Sequence, residues 1–394
     1  MVITSPGTSR LSIVARCLRK LLDGWLEART GTFFSLREKR ENDMFHIGGH
    51  RPDFSQLVKA LTCRGETDFV PLAEMYIDKG LKEAVLGRPI RNLKDEIDFW
   101  LTAGYDYVLM HYPTMFLFRP DVDDATKYSL GELFAQAPPQ PDETRGYVTN
   151  RSEYDDFPWP DPSKVDLSVL DEMNELLPEG MMVISGTSGF YEQIWMLMGF
   201  DCFNIALYED PDLVEKVFAK IGKTVFEIWK QIADCESVGA VWLGDDVAYS
   251  EGLLVRPQVL REHTHPWMRK MADYCRTKGK PFIYHSDGNI SEIIPDLVDI
   301  GINALHPIEP KAMDIFELKR TIGDRVCLMG NLDLDRLLTR GTPEEVDAGT
   351  RALIEQLAPG GGYVLGSSNS IAHFVRPENY LAMLRARNQY GTGA

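Results

Sequence analysis

Eight short apolar runs, each followed by a segment with helical periodicity, restrict this chain to very few folds. They read FVPLAEMY (69–76), YDYVLMHY (105–112), GMMVISGT (180–187), GAVWLGDD (239–246), KPFIYHSD (280–287), INALHPIE (302–309), RVCLMGNLD (325–333) and GYVLGSSNS (362–370). Parallel strands buried on both faces read as near-continuous apolar runs rather than alternating ones, and these do. Between them, Leu213, Val217, Ile221, Val225 and Ile228 recur at helical spacing, with Asp210 as an N-cap and Pro211 at the first helical position. Thr342 and Pro343 open a second such segment, with Val346, Leu353 and Ile354 on its inner face. The expected fold is therefore α/β, a (β/α)8 TIM barrel, with an open doubly wound sheet as the competitor.

The barrel is expected over 54–394, with 1–53 as an N-terminal helical extension. Residues 1–43 hold eight Lys/Arg against five Asp/Glu, reversing the sign of the whole chain, whose net charge is −17. They read as an amphipathic helical extension, or as upstream translation ahead of Met44. The long gap at 113–179, rich in aromatics and prolines, reads as an excursion holding a small hairpin over the barrel mouth. The acidic balance argues against a nucleic-acid-binding face. No run of 18 apolar residues points to a membrane span. Six scattered cysteines (Cys17, Cys63, Cys202, Cys235, Cys275, Cys327) form no C-x-x-C pair. They read as free thiols of a reducing compartment, so a cytoplasmic location is expected.

In such a barrel the chemistry lies where the strands end. Those ends gather Glu74, His111, Thr187, Asp245, Asp246, His285, Asp287, His306, Glu309, Asn331, Asp333, Ser367, Ser368 and Asn369. Loops are polar, so any one of these residues can be an ordinary strand end. Together they mark a site. The sharpest pair is His285-x-Asp287: alternate residues of a strand share a face. Burying them without partners would cost about 2–7 kcal/mol for the polar atoms alone. An imidazole and a carboxylate suit a divalent metal. They suit general acid–base work equally well. Asp245 and Asp246 cannot both face inward on a regular strand, so one is expected at the mouth and the other in a wall or cap. Tyr76, Tyr112, Phe190, Tyr191 and Trp195 are placed to meet an apolar or aromatic ring, or to be core. The histidines of HTH (263–265) diverge on a helix expected to begin near Pro257, and APGGGY (358–363) reads as a turn.

The segments LAEMYIDKGLKEAVLGRP (72–89), FPWPDP (157–162), GDD (244–246), HSDGNI (285–290), GNLD (330–333) and YVLGSSNSI followed by RPENY (363–380) together resemble the uroporphyrinogen decarboxylase superfamily. That resemblance implies a (β/α)8 barrel and one of two chemistries. The decarboxylases use no metal and grip substrate carboxylates with an arginine-rich first segment, which is lacking in FVPLAEMY here. Their Gly-His-Gly after the last strand is replaced by Gly366-Ser367-Ser368-Asn369-Ser370. The zinc methyltransferases carry H-x-C in the fifth strand and a second cysteine after the eighth. Here those places hold His285-x-Asp287 and Ser367-Ser368, a harder, oxygen-rich set.

The resemblance therefore points to a component that moves a methyl group from a small methoxylated or methylated substrate to a separate corrinoid protein. No corrinoid motif is present, since DMFHIGG (43–49) has the wrong spacing for D-x-H-x-x-G. The expected catalytic residues are His285, Asp287, Asp245 and His111. Glu74, Tyr76, Tyr191, Ser367, Ser368 and Asn369 are expected to bind substrate. Zinc is expected on His285, Asp246 and Glu74. A corrinoid protein is the expected partner, with a homodimer open as the assembly. The alternatives are a metal-free decarboxylase and a non-catalytic ligand-binding barrel.

Overall fold

A computed structural model describes residues 50–112, 117–122 and 146–392, with the side chains of His111 and Tyr112 outside the described set. The reading of 1–43 as an extension also falls outside it. Seven strands form one all-parallel sheet. They are β1 (Tyr107–Tyr112), β2 (Met182–Ser188), β3 (Val238–Gly244), β6 (Phe282–His285), β7 (Ala304–His306), β8 (Cys327–Met329) and β9 (Tyr363–Val364), in that spatial order. The antiparallel pair β4 (Ala248–Tyr249) and β5 (Gly252–Leu253) follows β3 as a small hairpin. Each sheet strand pairs with the next one in sequence, the arrangement that right-handed βαβ crossovers produce.

The first apolar run is not a regular strand. Pro71 has no N–H to give a ladder. Leu72 makes an isolated parallel bridge to Leu365, with Ala73 N–H donating to Leu365 O at 2.8 Å. On its other side the backbone of Glu74 turns to a side chain: the Tyr107 hydroxyl accepts from Glu74 N at 2.7 Å and donates to Glu74 O at 3.0 Å. The run thus touches both β9 and β1, through one bridge and one phenol, where the sequence pattern predicts a full eighth strand.

The helices follow their caps. Asp210 accepts from Leu213 N, and Leu213, Val217, Ile221, Val225 and Ile228 are all buried along Pro211–Asp234. Thr342 and Glu345 form a complete capping box at Pro343–Leu357. The helix expected from Pro257 is broken at Thr264 into Pro257–His263 and His265–Lys278. His263 stacks on Phe218, while His265 is buried, so the two histidines do diverge. Within the excursion the described residues form the helix Arg151–Asp156, capped by Asn150, and the helix Ser168–Leu176. The expected hairpin is not found among them. Gly360, Gly361 and Gly362 all take positive φ, as the expected turn requires.

Candidate functional site

Strand register sets the site. His285, the last residue of β6, lies beside Gly244 of β3 and His306 of β7. The chain then leaves the sheet, so Asp287 does not reach the cavity by strand alternation. It is placed by its own N–H, which donates to Asp246 Oδ1 at 2.8 Å, and by a turn at Gly288, whose N–H donates to Glu309 Oε2 at 2.9 Å. Gly288 has φ 80°, and a Cβ there would sit 2.6–2.7 Å from backbone atoms of Ala248 and Tyr249 on the hairpin. No other residue fits that approach.

Three groups converge. His285 Nε2 lies 3.4 Å from Asp246 Oδ1 and 3.6 Å from Asp287 Oδ1. Among the described residues these three form the group whose ligand atoms, all within 4.8 Å of one another, could hold a metal ion. Burial works against a charge on His285, but the hydrogen bond and charge of Asp246, then Asp287 and Glu309, raise its pKa overall. Burial likewise works against ionised Asp246, and His285 outweighs it, lowering that pKa. Asp287 is pushed up to about 6 by burial and by the neighbouring carboxylates, against the pull of His285. His285 and Asp246 thus favour each other's charged form, beside a second carboxyl whose pKa is raised. The Asn369 amide donates to Asp287 Oδ2 at 2.5 Å, while Asp287 Oδ1 is buried with no hydrogen-bond partner among the described residues. A buried, unsatisfied carboxylate oxygen facing an imidazole nitrogen and a second carboxylate is a donor set that fits a divalent cation.

Behind the cluster, His285 Nδ1 and His306 Nδ1 are 2.7 Å apart. One must donate and the other accept, so the pair fixes a tautomer. His306 is fully buried and packs edge-on against Trp242, ring centroids 4.9 Å apart. Burial, then His285, keeps it neutral by lowering its pKa.

Other expected site residues lie elsewhere. Asp245 is spent on the helix Phe190–Met198: its carboxylate accepts from the N–H groups of Phe190, Tyr191 and Glu192 at 3.0, 3.1 and 3.0 Å. The geometry makes it a cap reaching across from β3 rather than a group facing substrate. Glu74 does not join the metal group; Ser367 holds it, donating from N to Oε1 at 2.8 Å with its hydroxyl 2.6 Å from Oε2. Ser368 Oγ accepts from Leu334 N, Asn331 donates to Ile308 O, and Asp333 caps Arg336. Thr187 is buried, its hydroxyl without a hydrogen-bond partner among the described residues. Tyr191 and Phe190 are core, Trp195 is half-buried, and Tyr76 is 52% exposed. His111 is the penultimate residue of β1, but its side chain and that of Tyr112 lie outside the described residues.

Glu192 went unread in the sequence. It sits in the first turn of the helix that Asp245 caps, accepts the Asp246 N–H, and is raised well above the usual carboxyl range by burial and then by Asp246 and Asp245. The signal was available: a helix opening straight after β2 brings its first turn to the mouth.

Comparison with known proteins gives the family and the fold. The family model described as uroporphyrinogen decarboxylase (URO-D) matches residues 144–390. The chain is 28% identical over 148 residues to a methylcobamide:CoM methyltransferase MtaA of Methanosarcina barkeri, covering 38% of this chain and 41% of that protein. It is 25% identical over 217 residues to a uroporphyrinogen decarboxylase of Methylococcus capsulatus, covering 53% and 55%. The chain thus spans about half the length of these curated relatives, or less. A solved methyltransferase from Methanosarcina mazei shares the fold with TM-score 0.63 at 20% identity, covering 85% of this chain and 98% of that one.

Proposed function

This chain belongs to the uroporphyrinogen decarboxylase (URO-D) family, matched over residues 144–390 of 394, and from that premise we propose that it is a methyltransferase component. On this reading it takes a methyl group from a small methoxylated or methylated substrate and passes it to a corrinoid carried by a separate protein. The observation that carries the reading is the His285–Asp246–Asp287 cluster with its unpartnered Asp287 Oδ1. A divalent cation such as zinc, held by these three residues, would supply Lewis acidity to the oxygen of a poor leaving group. An all-nitrogen-and-oxygen donor set suits an oxygen-bearing substrate better than a thiol. The chain's own contribution is to hold His285 in one tautomer through His306 and to hold Asp287 through Asn369.

The reaction balances when the methyl group leaves oxygen for cob(I)alamin, cobalt rising formally to the +3 state, and the departing oxygen takes a proton. The test is to incubate the zinc-supplemented chain with free cob(I)alamin and a panel of methoxylated aromatics, following methylcobalamin spectroscopically. Turnover with at least one ether is expected. The raised pKa of His285 favours one other reading, a metal-free decarboxylase in which its imidazolium delivers a proton to a carbanion. Carbon dioxide release from a carboxylated substrate by chelator-treated protein, without methyl transfer, would select that reading.

A further inference from the structure

Glu74, held by Ser367, is fully buried, and the causes that shift its pKa include no cationic side chain. The titratable groups facing it are the phenols Tyr105, Tyr107 and Tyr380. Its two oxygens meet Ser367 N and Ser367 Oγ. That same hydroxyl lies 3.0 Å from the Asn369 carbonyl oxygen, which can only accept. Ser367 Oγ carries one proton and faces two oxygens. If Glu74 were ionised, one hydroxyl proton would have to serve both acceptors. If Glu74 is protonated, its Oε2–H donates to Ser367 Oγ, the serine hydroxyl donates to Asn369 O, and every contact is satisfied. Asn369 in turn donates from its amide to Asp287 Oδ2.

We propose that Glu74 is a neutral acid heading a hydrogen-bonded relay, Glu74–Ser367–Asn369–Asp287, that positions Asp287 by holding one carboxylate oxygen and leaving the other toward His285. Burial, only partly opposed by the Ser367 hydrogen bonds, pushes the Glu74 pKa up to about 8, which agrees with the donor count. The relay explains why Glu74 is kept in an apolar interior where an anion would be costly. It also explains why serine stands at position 367: a hydroxyl both accepts and donates, and so passes one acid's orientation to the next carbonyl. Its link to the site rests on the reading that Asp287 belongs to the reactive cluster.

The relay separates two substitutions that ordinarily behave alike. In Glu74→Gln the amide oxygen can accept from Ser367 N and the amide N–H can donate to Ser367 Oγ, reproducing the neutral acid. Ser367→Ala breaks the chain. On the full chain, the infrared difference between wild type and Glu74→Gln at pH 7 should show loss of a protonated carboxylic acid band. The side-chain amide NMR signal of Asn369 should be kept in Glu74→Gln and moved in Ser367→Ala, with both variants folded by circular dichroism. Zn2+ titration calorimetry should give wild-type affinity for Glu74→Gln and a loss of about 10- to 100-fold for Ser367→Ala. A carboxylate band in place of the acid band overturns the proposal. So does Zn2+ binding that falls equally in both variants, because Glu74 would then act as an anion. If wild type binds no Zn2+, the cation reading fails, while the infrared and NMR results still decide the relay.

Discussion

At the scale of single residues, Asp287 carries the most consequential position. One of its oxygens is held by Asn369, and the other, 3.6 Å from His285 Nε2, has no hydrogen-bond partner among the described residues. Asp287→Asn therefore removes a half-buried charge whose pKa is raised by burial and by the neighbouring carboxylates. It should leave the melting temperature equal or higher while lowering turnover about 100-fold or more. A lower melting temperature with intact turnover would return the HSDG turn to the ranks of ordinary strand ends. Glu74 supplies the pH dependence. Its folded pKa of about 8 lies above its ordinary 4.5 because it is buried. Below about pH 4.5 both folded and unfolded chains hold this proton, and its stabilising contribution is complete. As pH rises toward 8 the unfolded chain gives the proton up first, and the contribution is lost. Melting temperatures measured from pH 5 to 8 should fall more steeply in wild type than in Glu74→Gln. The sequence made His285 and Asp287 legible as a pair, but for an incomplete reason, since β6 stops at His285 and Asp246 does the aligning. Asp245 was legible only as half of an ambiguous pair. Which carboxylate faces the cavity depends on the helix after β2, a contact made 53–55 residues away.

At the scale of elements, the helix Phe190–Met198 and strand β3 are joined by the Asp245 carboxylate. Gly189 permits the approach, because a Cβ there would lie 2.1 Å from Asp245. Asp245→Ala would strand three N–H groups at that helix terminus. It should cost about 1–3 kcal/mol of stability, read as a shift in denaturant midpoint, with Asp245→Asn less affected. An unchanged midpoint would mean that water replaces the cap without loss. Caps written into local sequence, such as Asp210-Pro211 and the Thr342–Glu345 box, were readable because donor and acceptor lie within one turn. The irregular first run was not. Apolar residues predicted a strand, while Pro71 and a phenol on β1 decided otherwise. The excursion misled for a similar reason: its prolines and aromatics suggested a hairpin, whereas Asn150 opens a helix and Tyr154, Phe157 and Trp159 cluster around it.

At the scale of the molecule, eight apolar runs foretold a parallel α/β architecture, and seven of them are regular strands in sequential order. That order follows from local pattern and crossover geometry, so it could be read without knowing any contact. The chemistry could not, because strand ends collect polar residues whether or not they react. What separates them is partnership. Asp333, Ser368 and Asn331 are each spent on the backbone, whereas His285, Asp246 and Asp287 face one another. The trio is proposed to hold a divalent cation. Elemental analysis of the full chain, purified without chelator and then equilibrated with Zn2+ and desalted, tests it most directly. One tightly held ion per chain is expected in wild type, with loss of that ion in a folded His285→Ala variant. Wild-type protein that retains no ion, or a His285→Ala variant that retains it fully, would contradict the account.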